Sequence, residues 1–178
     1  RMRITNSGNV GIGTSSFNGS NPEKLLVDAG ATSSFNVISG KGTIDNYLQL
    51  NIQNNSSGNN ASSDLVATAN NGNETVNYVD LGINSSTYSL ASFNITGAND
   101  AYLYSTGNDF AIGNATNNRV LKFFTGGTVA ANERMRIDKD GNVAIGTTTF
   151  NATNPELLLV DAGTTTSFNV ISGKGTIN

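Results

Sequence analysis

The sequence predicts an all-β protein: tandem β-sandwich or β-prism-like modules joined by β-hairpin segments. Three observations lead there. First, the chain repeats itself. Residues 1–45 and 134–178 align at an offset of 133 residues with 33 identities in 45 positions, and the differences are mostly small-for-small or polar-for-polar. A repeat is a unit that stacks on its neighbours, and a period of 133 is far longer than a solenoid coil, so it fits a domain-sized module along a rod. Second, the composition is that of turns and short strands. Asn numbers 28 and Gly 20 against 2 Pro, and only 13% of residues are charged. Asn and Gly supply positive-φ turn positions, and Thr suits strands. Third, the apolar residues alternate with polar ones in short runs, the period of a half-buried strand.

The repeat divides the chain into a joint segment (1–45), a central β module (46–133) and a second joint (134–178). Arg1 in place of an initiator Met, and a second copy that breaks off at Asn178, are expected of a window within a longer array.

The joint opens with Met2 and Ile4 alternating with Arg1 and Arg3. A Gly-containing turn follows (Asn6–Gly8, or Lys139–Gly141 in copy two), and then Val10 and Ile12 alternate with Gly11 and Gly13. This is a hairpin signal. Copy two repeats it with Met135, Ile137, Val143 and Ile145, and with Ala144 in place of Gly11. A polar turn over 17–24 leads to Leu25–Asp28, read as a strand, with a single helical turn over 22–28 as the alternative. Phe35 and Val37 alternate again, and Gly40 and Gly42 around Lys41 predict a turn or bulge.

The central module reads as roughly seven to nine short strands at the spacing of a sandwich or prism. The runs are 47–53, 64–69, 76–83, 88–96, 101–105, 109–113 and 119–127, with a polar loop over 54–63 and a turn over 70–74.

Joints of this kind lack the means to hold together alone. Ordering the chain costs about 1–2 kcal/mol per residue, and a lone hairpin buries too little to offset that. Packing Met2, Ile4, Val10 and Ile12, and in copy two Met135, Ile137, Val143 and Ile145, around a shared axis makes one core from three poor faces. Arg1, Arg3, Arg134 and Arg136 are then expected to pair with acids of neighbouring chains, such as Glu133 or Asp28.

Charge and composition exclude several functions. There is no Cys and no His, which removes disulfides, thiolate chemistry and the commonest metal ligand and general base. Net charge is −3, and no Lys or Arg lies between Lys41 and Arg119, while Asp45, Asp64, Glu74, Asp80, Asp100 and Asp109 do. Such a surface repels phosphate, so nucleic acid is not an expected partner. No apolar run reaches the ~18 residues of a membrane helix, so no membrane insertion is expected.

Residues 133–149, ERMRIDKDGNVAIGTTT, resemble the ERMRI…GNVGIGT motif of bacteriophage tail-fibre and related virion or cell-surface fibre proteins. The central segment also looks like modules of those proteins. The resemblance implies a homotrimeric β-rich shaft, an extracellular location on a virion, its tail or a cell surface, and a structural, non-enzymatic role without cofactors. In that family the motif commonly precedes a self-cleaving chaperone domain; that portion is not in this sequence, so no proteolytic role carries over.

Rival chemistry is thin. Asp138–Asn142 (DKDGN) has the opening of a Ca²⁺ loop, but copy one has TNSGN there, with both carboxylates gone. A turn tolerates that swap and a metal site does not, so no metal is expected. Ser39 with Lys41, and Ser172 with Lys174, sit close enough for a Ser–Lys dyad, but Gly on both sides of each Lys favours a loop. Tyr88, Tyr102 and Tyr104 are the candidates for sugar contact, since a ring with a polar tip suits carbohydrate. They make a glycan- or receptor-binding adhesin, with a cell-surface glycan as partner, the first alternative. A polysaccharide depolymerase is the second, requiring two carboxylates in one groove. Nine N-x-S/T sequons occur: Asn18, Asn54, Asn55, Asn60, Asn73, Asn84, Asn94, Asn114 and Asn151. They carry glycans only if the producing cell glycosylates exported proteins.

Overall fold

A computed structural model describes residues 1–150 and 157–161. The chain is all-β: among the described residues the only helical element is one 3₁₀ turn, Ala130–Asn132. It divides into two compact units, Arg1–Gln53 and Asn54–Asn178.

The first unit carries a three-stranded sheet of β1 (Met2–Ile4), β2 (Val10–Ile12) and β3 (Leu25–Val27). β1 and β2 form the expected antiparallel hairpin, with Met2 opposite Ile12 and Ile4 opposite Val10. The turn closes through Thr5 N–H to Asn9 O (2.9 Å) and Gly8 N–H to Thr5 O (3.0 Å), with Gly8 at φ +78°. The chain then passes through the polar segment, where Asn18 Oδ1 accepts from the N–H groups of Ser20 and Asn21, and returns as β3 parallel to β2. The strand reading of Leu25–Asp28 holds, and no helical turn forms there. Met2, Ile4, Val10, Ile12, Leu25 and Val27 share one face through this register.

The second unit holds two sheets. In the first, β4 (Ser62–Thr68), β5 (Tyr78–Asn84) and β6 (Ala101–Ser105) run antiparallel with β5 in the centre. In the second, β7 (Leu121–Phe124), β8 (Glu133–Ile137), β9 (Val143–Ile145) and β10 (Leu158–Val160) lie in the order β10-β9-β8-β7. β8, β9 and β10 reproduce β1, β2 and β3 strand for strand, parallel pairing included. β7 extends the sheet with a register shift at Phe123/Phe124. It pairs across the 133/134 boundary, so the end of the repeat period lies inside a sheet.

The central region departs from the expected strand count. Only β4 to β7 form between residues 46 and 132. The alternating runs at 34–38, 47–53, 88–96 and 109–113 are not strands. They carry the period-two pattern, but a strand also needs an edge to hydrogen-bond to, and these runs pair with none of the open edges at β1, β3, β4, β6, β7 or β10. Among the described residues of the second unit the expected sandwich or prism is not seen: each strand's main contacts are with its in-sheet neighbours, and β4–β6 and β7–β10 do not pack as layers. Tyr88 and Ala144 are the only buried hydrophobic residues among those described, while Met2 is 67% and Leu81 52% exposed.

Asn does the turn work that the composition implied. The three described non-Gly residues with positive φ are Asn77, Asn99 and Asn118, the residue type that most readily takes that conformation after Gly.

Candidate functional site

The side chains with the most built environment lie on one face of β4–β5–β6. The register places Asp64, Gly82 and Tyr102 in one row across the three strands, and Val66, Asp80 and Tyr104 in the next. Tyr78 and Thr68 lie beyond them, and Ser62 and Asn84 at the other end.

This face is densely hydrogen-bonded. Asp64 accepts from Ser62 Oγ (2.7 Å) and from the Tyr102 hydroxyl, so both of its oxygens are committed. The Tyr78 and Tyr104 hydroxyls bond to each other at 2.8 Å. Phe93, from the β5–β6 connection, packs on Tyr102 and Tyr104 with centroids 5.5 and 5.1 Å away, the first edge-on. Such ring pairs add about 0.5–1.5 kcal/mol each beyond the area they bury. Gly82 is required here: a Cβ would strike Asp64 Oδ1 and the Tyr102 ring. Asn84 Nδ2 donates to Thr96 Oγ1 and Gly97 O, both at 2.9 Å, which ties the β5–β6 connection to the sheet.

Burial shapes the electrostatics. Asp80 is 7% exposed, and its Oδ1 accepts no hydrogen bond. Desolvation, with the Asp64 charge adding to it, raises its pKa above the ordinary aspartate value, against the opposing Tyr104 hydroxyl. Burial and the bond to Asp64 push the Tyr102 phenol up to about 12, and burial with the Tyr78 contact raises Tyr104 as well. A hollow of about 300 Å³ lined by Asp64, Val66, Thr68, Glu74, Tyr78 and Asp80 opens on this face.

The opposite face is its inverse. Leu65, Leu81 and Leu103 form one row, flanked by Ala67–Val79–Ser105 and Ser63–Ile83–Ala101. It bears no charge, and its leucines and Ile83 are about half exposed.

Of the residues expected from sequence to touch sugar, Tyr102 and Tyr104 do stand together, but their hydroxyls are already bonded within the chain. Tyr88 lies apart from them and is 8% exposed, so it offers no open ring face in the single chain. Tyr78, Asp64, Asp80 and Phe93 were not anticipated. The signal available for the strand residues was parity, since 64/66, 78/80 and 102/104 each alternate along one strand.

The apolar residues expected at a trimer joint share one face in each copy. Met2, Ile4 and Ile12 are exposed, and Val10 is half-buried. Met135, Ile137 and Val143 are half-buried and Ile145 is exposed. Leu25 and Val27, and Leu121, Phe123, Leu158 and Val160, join those faces unpredicted.

The arginine pairing differs from expectation. Glu133 is bound within its own chain by Arg136 through Nε and Nη2, and by Lys122 Nζ at 3.1 Å. Its side chain is nearly buried, and the Arg136 bond, ahead of Lys122, holds its pKa low against desolvation. Arg134 instead donates to the carbonyls of Ala131, Glu133 and Thr125.

The sequons have a structural use. Asn54, Asn73 and Asn114, like Asn18, accept the N–H of the residue two positions on through Oδ1, at 2.8–3.0 Å. This is the Asx turn, in which the Asn side chain serves the backbone. Asn60 and Asn94 are exposed. Asn84 is 5% exposed with its amide committed, which removes it from the accessible acceptors in the folded chain. Asn151 lies outside the described residues, as do Ser172 and Lys174. The Asp138 carboxylate is likewise occupied by its turn, accepting from Asp140 N–H, Asn142 N–H and Asn142 Nδ2, each at 2.9 Å. Among the described residues no group of three or more acidic side chains is arranged to hold a metal ion.

No family model and no curated protein matches this chain.

Proposed function

We propose that this chain is a length of a homotrimeric, non-enzymatic β fibre of the tail-fibre kind, spacing an attachment function away from a virion or cell surface. One observation carries the reading: a single chain folds its strands without making a core. Tyr88 and Ala144 are the only hydrophobic residues buried among those described, while most strand leucines and isoleucines stay about half exposed. Each sheet presents an apolar face that the described residues leave at least partly open. Further copies of the chain supply the missing partner, and three about one axis is the arrangement that the motif at 133–149 implies. Sedimentation mass tests it: a species of three times 18.5 kDa is expected, and a monomer at micromolar concentration refutes it.

A glycan-binding module is the second reading, favoured by the hollow beside Tyr78 and the unbonded Asp80 Oδ1. Loss of binding to a glycan panel on Tyr78→Ala, with oligomeric state unchanged, is its test. Both oxygens of Asp64 already accept hydrogen bonds within the chain, so a depolymerase pair would have to be drawn from Asp80 and Glu74, which line the same hollow.

A further inference from the structure

We infer that the Leu65–Leu81–Leu103 face of the central sheet is the surface through which one copy of the chain meets another, with the tyrosine face turned outward. The inference rests on the fibre reading and adds to it the face that lines the axis.

Sheets ordinarily cover their apolar side and leave the polar side in water. Here the two are reversed. The side bearing Asp64, Asp80 and Asn84 is roofed by Phe93 and the β5–β6 connection, while the side bearing three leucines, Val79 and Ile83 is open. Roofing the acid side left Asp80 desolvated with an oxygen unbonded, a cost with no return unless the other side is also covered.

Charge selects the occupant. The module has no Lys or Arg between Lys41 and Arg119 but carries five acids from Asp64 to Asp109. Two copies brought together through their acidic sides repel. The leucine face is uncharged and bounded by small residues (Ser63, Ala67, Ala101, Ser105), so it can lie against itself at close range. A basic partner would find no acid on the face itself and only Asp109 beside it, at the hollow along the Ala67–Val79–Ser105 edge.

Because the chain contains no Cys, single-cysteine variants report directly. Leu103→Cys, oxidised under native conditions, is expected to give covalent dimers. Thr68→Cys, exposed on the opposite face, is expected to give none. Leu81→Lys is expected to weaken association on the order of 100-fold or more, since it leaves a charge buried without a partner, whereas Thr68→Lys leaves it unchanged. If wild-type protein is monomeric, the fibre reading itself fails. If wild type is trimeric but Thr68→Cys cross-links in preference to Leu103→Cys, or Leu81→Lys remains a trimer, the fibre stands and this face is the wrong one. Should Leu81→Lys fail to fold, the cysteine pair decides alone.

Discussion

The two joint sheets are a natural comparison, because one backbone is built twice with different side chains. Both close the hairpin with the same hydrogen bonds, Thr5 N–H to Asn9 O and Asp138 N–H to Asn142 O, each 2.9 Å. Both bring the third strand in parallel, with Val10 N–H to Lys24 O in one and Val143 N–H to Leu157 O in the other. The buried asparagine at the turn is solved differently. In the first copy Asn9 Oδ1 accepts from Lys24 Nζ at 3.0 Å, and Thr5 Oγ1 accepts the Asn9 N–H. In the second, Leu157 stands where Lys24 was, and Asn142 turns its amide to Asp138, which now supplies both acceptors. The lesson is that backbone geometry and satisfied polar groups are held in common, while the residues that satisfy them trade in pairs.

The largest effect should fall where the copies are identical. Gly13 and Gly146 have φ of +83° and +78°, and a side chain on either would collide with the carbonyl of Asp28 or Asp161. Gly13→Val and Gly146→Val are each expected to cost about 3 kcal/mol or more, equally in the two joints, read by hydrogen exchange of the β1–β3 and β8–β10 peptides. A large inequality would show that the joints are not the same structure.

Next is the ion cluster of Lys122, Glu133 and Arg136, which ties β7 to β8. Glu133→Gln should destabilise β7–β8 by about 1–3 kcal/mol and leave β1–β3 untouched. The same asymmetry should appear with pH. The Arg136 bond holds the Glu133 carboxyl below the ordinary glutamate range. In Asp138, desolvation is outweighed by the hydrogen bonds from Asn142 and Asp140, so it too titrates below the ordinary aspartate range. A depressed folded pKa gives stability that is complete above the unfolded value and lost as pH falls through the folded one. Exchange protection of the 138–142 turn should therefore fall below about pH 4, ahead of the 5–9 turn, where Thr5 takes the place of Asp138 and does not titrate. Equal loss in the two turns would contradict the role given to Asp138.

A smaller test transplants one solution into the other copy. Lys24→Leu strands Asn9 Oδ1 and should cost about 1 kcal/mol. Adding Thr5→Asp should recover most of it, and a double-mutant cycle with no coupling would break the argument. The smallest change is Gly11→Ala, expected to cost less than about 1 kcal/mol despite a close Thr14 carbonyl, because Ala144 fills the same place fully buried in copy two.

Sequence made much of the joints legible and rather less of the central module. The hairpins, their Gly turns and the Leu25–Val27 strand follow from alternation and turn chemistry, which are local. The parallel return of β3 is not local, and it is what added Leu25 and Val27 to the apolar face. In the central module, Leu48, Leu50 and Ile52 alternate as well as any strand, yet pairing depends on an edge that sequence does not display. The Asp64–Tyr102 and Asp80–Tyr104 neighbourhood needed the register of three strands at once. The sequons were read as glycan acceptors because Asn-x-Ser/Thr serves two chemistries; the observed Asx turns belong to the backbone.

The claim that one chain's missing core is made up by its copies is tested most directly by cryo-electron microscopy of the assembled protein, at a resolution that counts chains in cross-section and places the Leu81 row. Three chains about one axis, with Leu65, Leu81 and Leu103 turned inward, is the expected result. A single chain per cross-section, or an axis lined by Tyr102 and Tyr104, would contradict it.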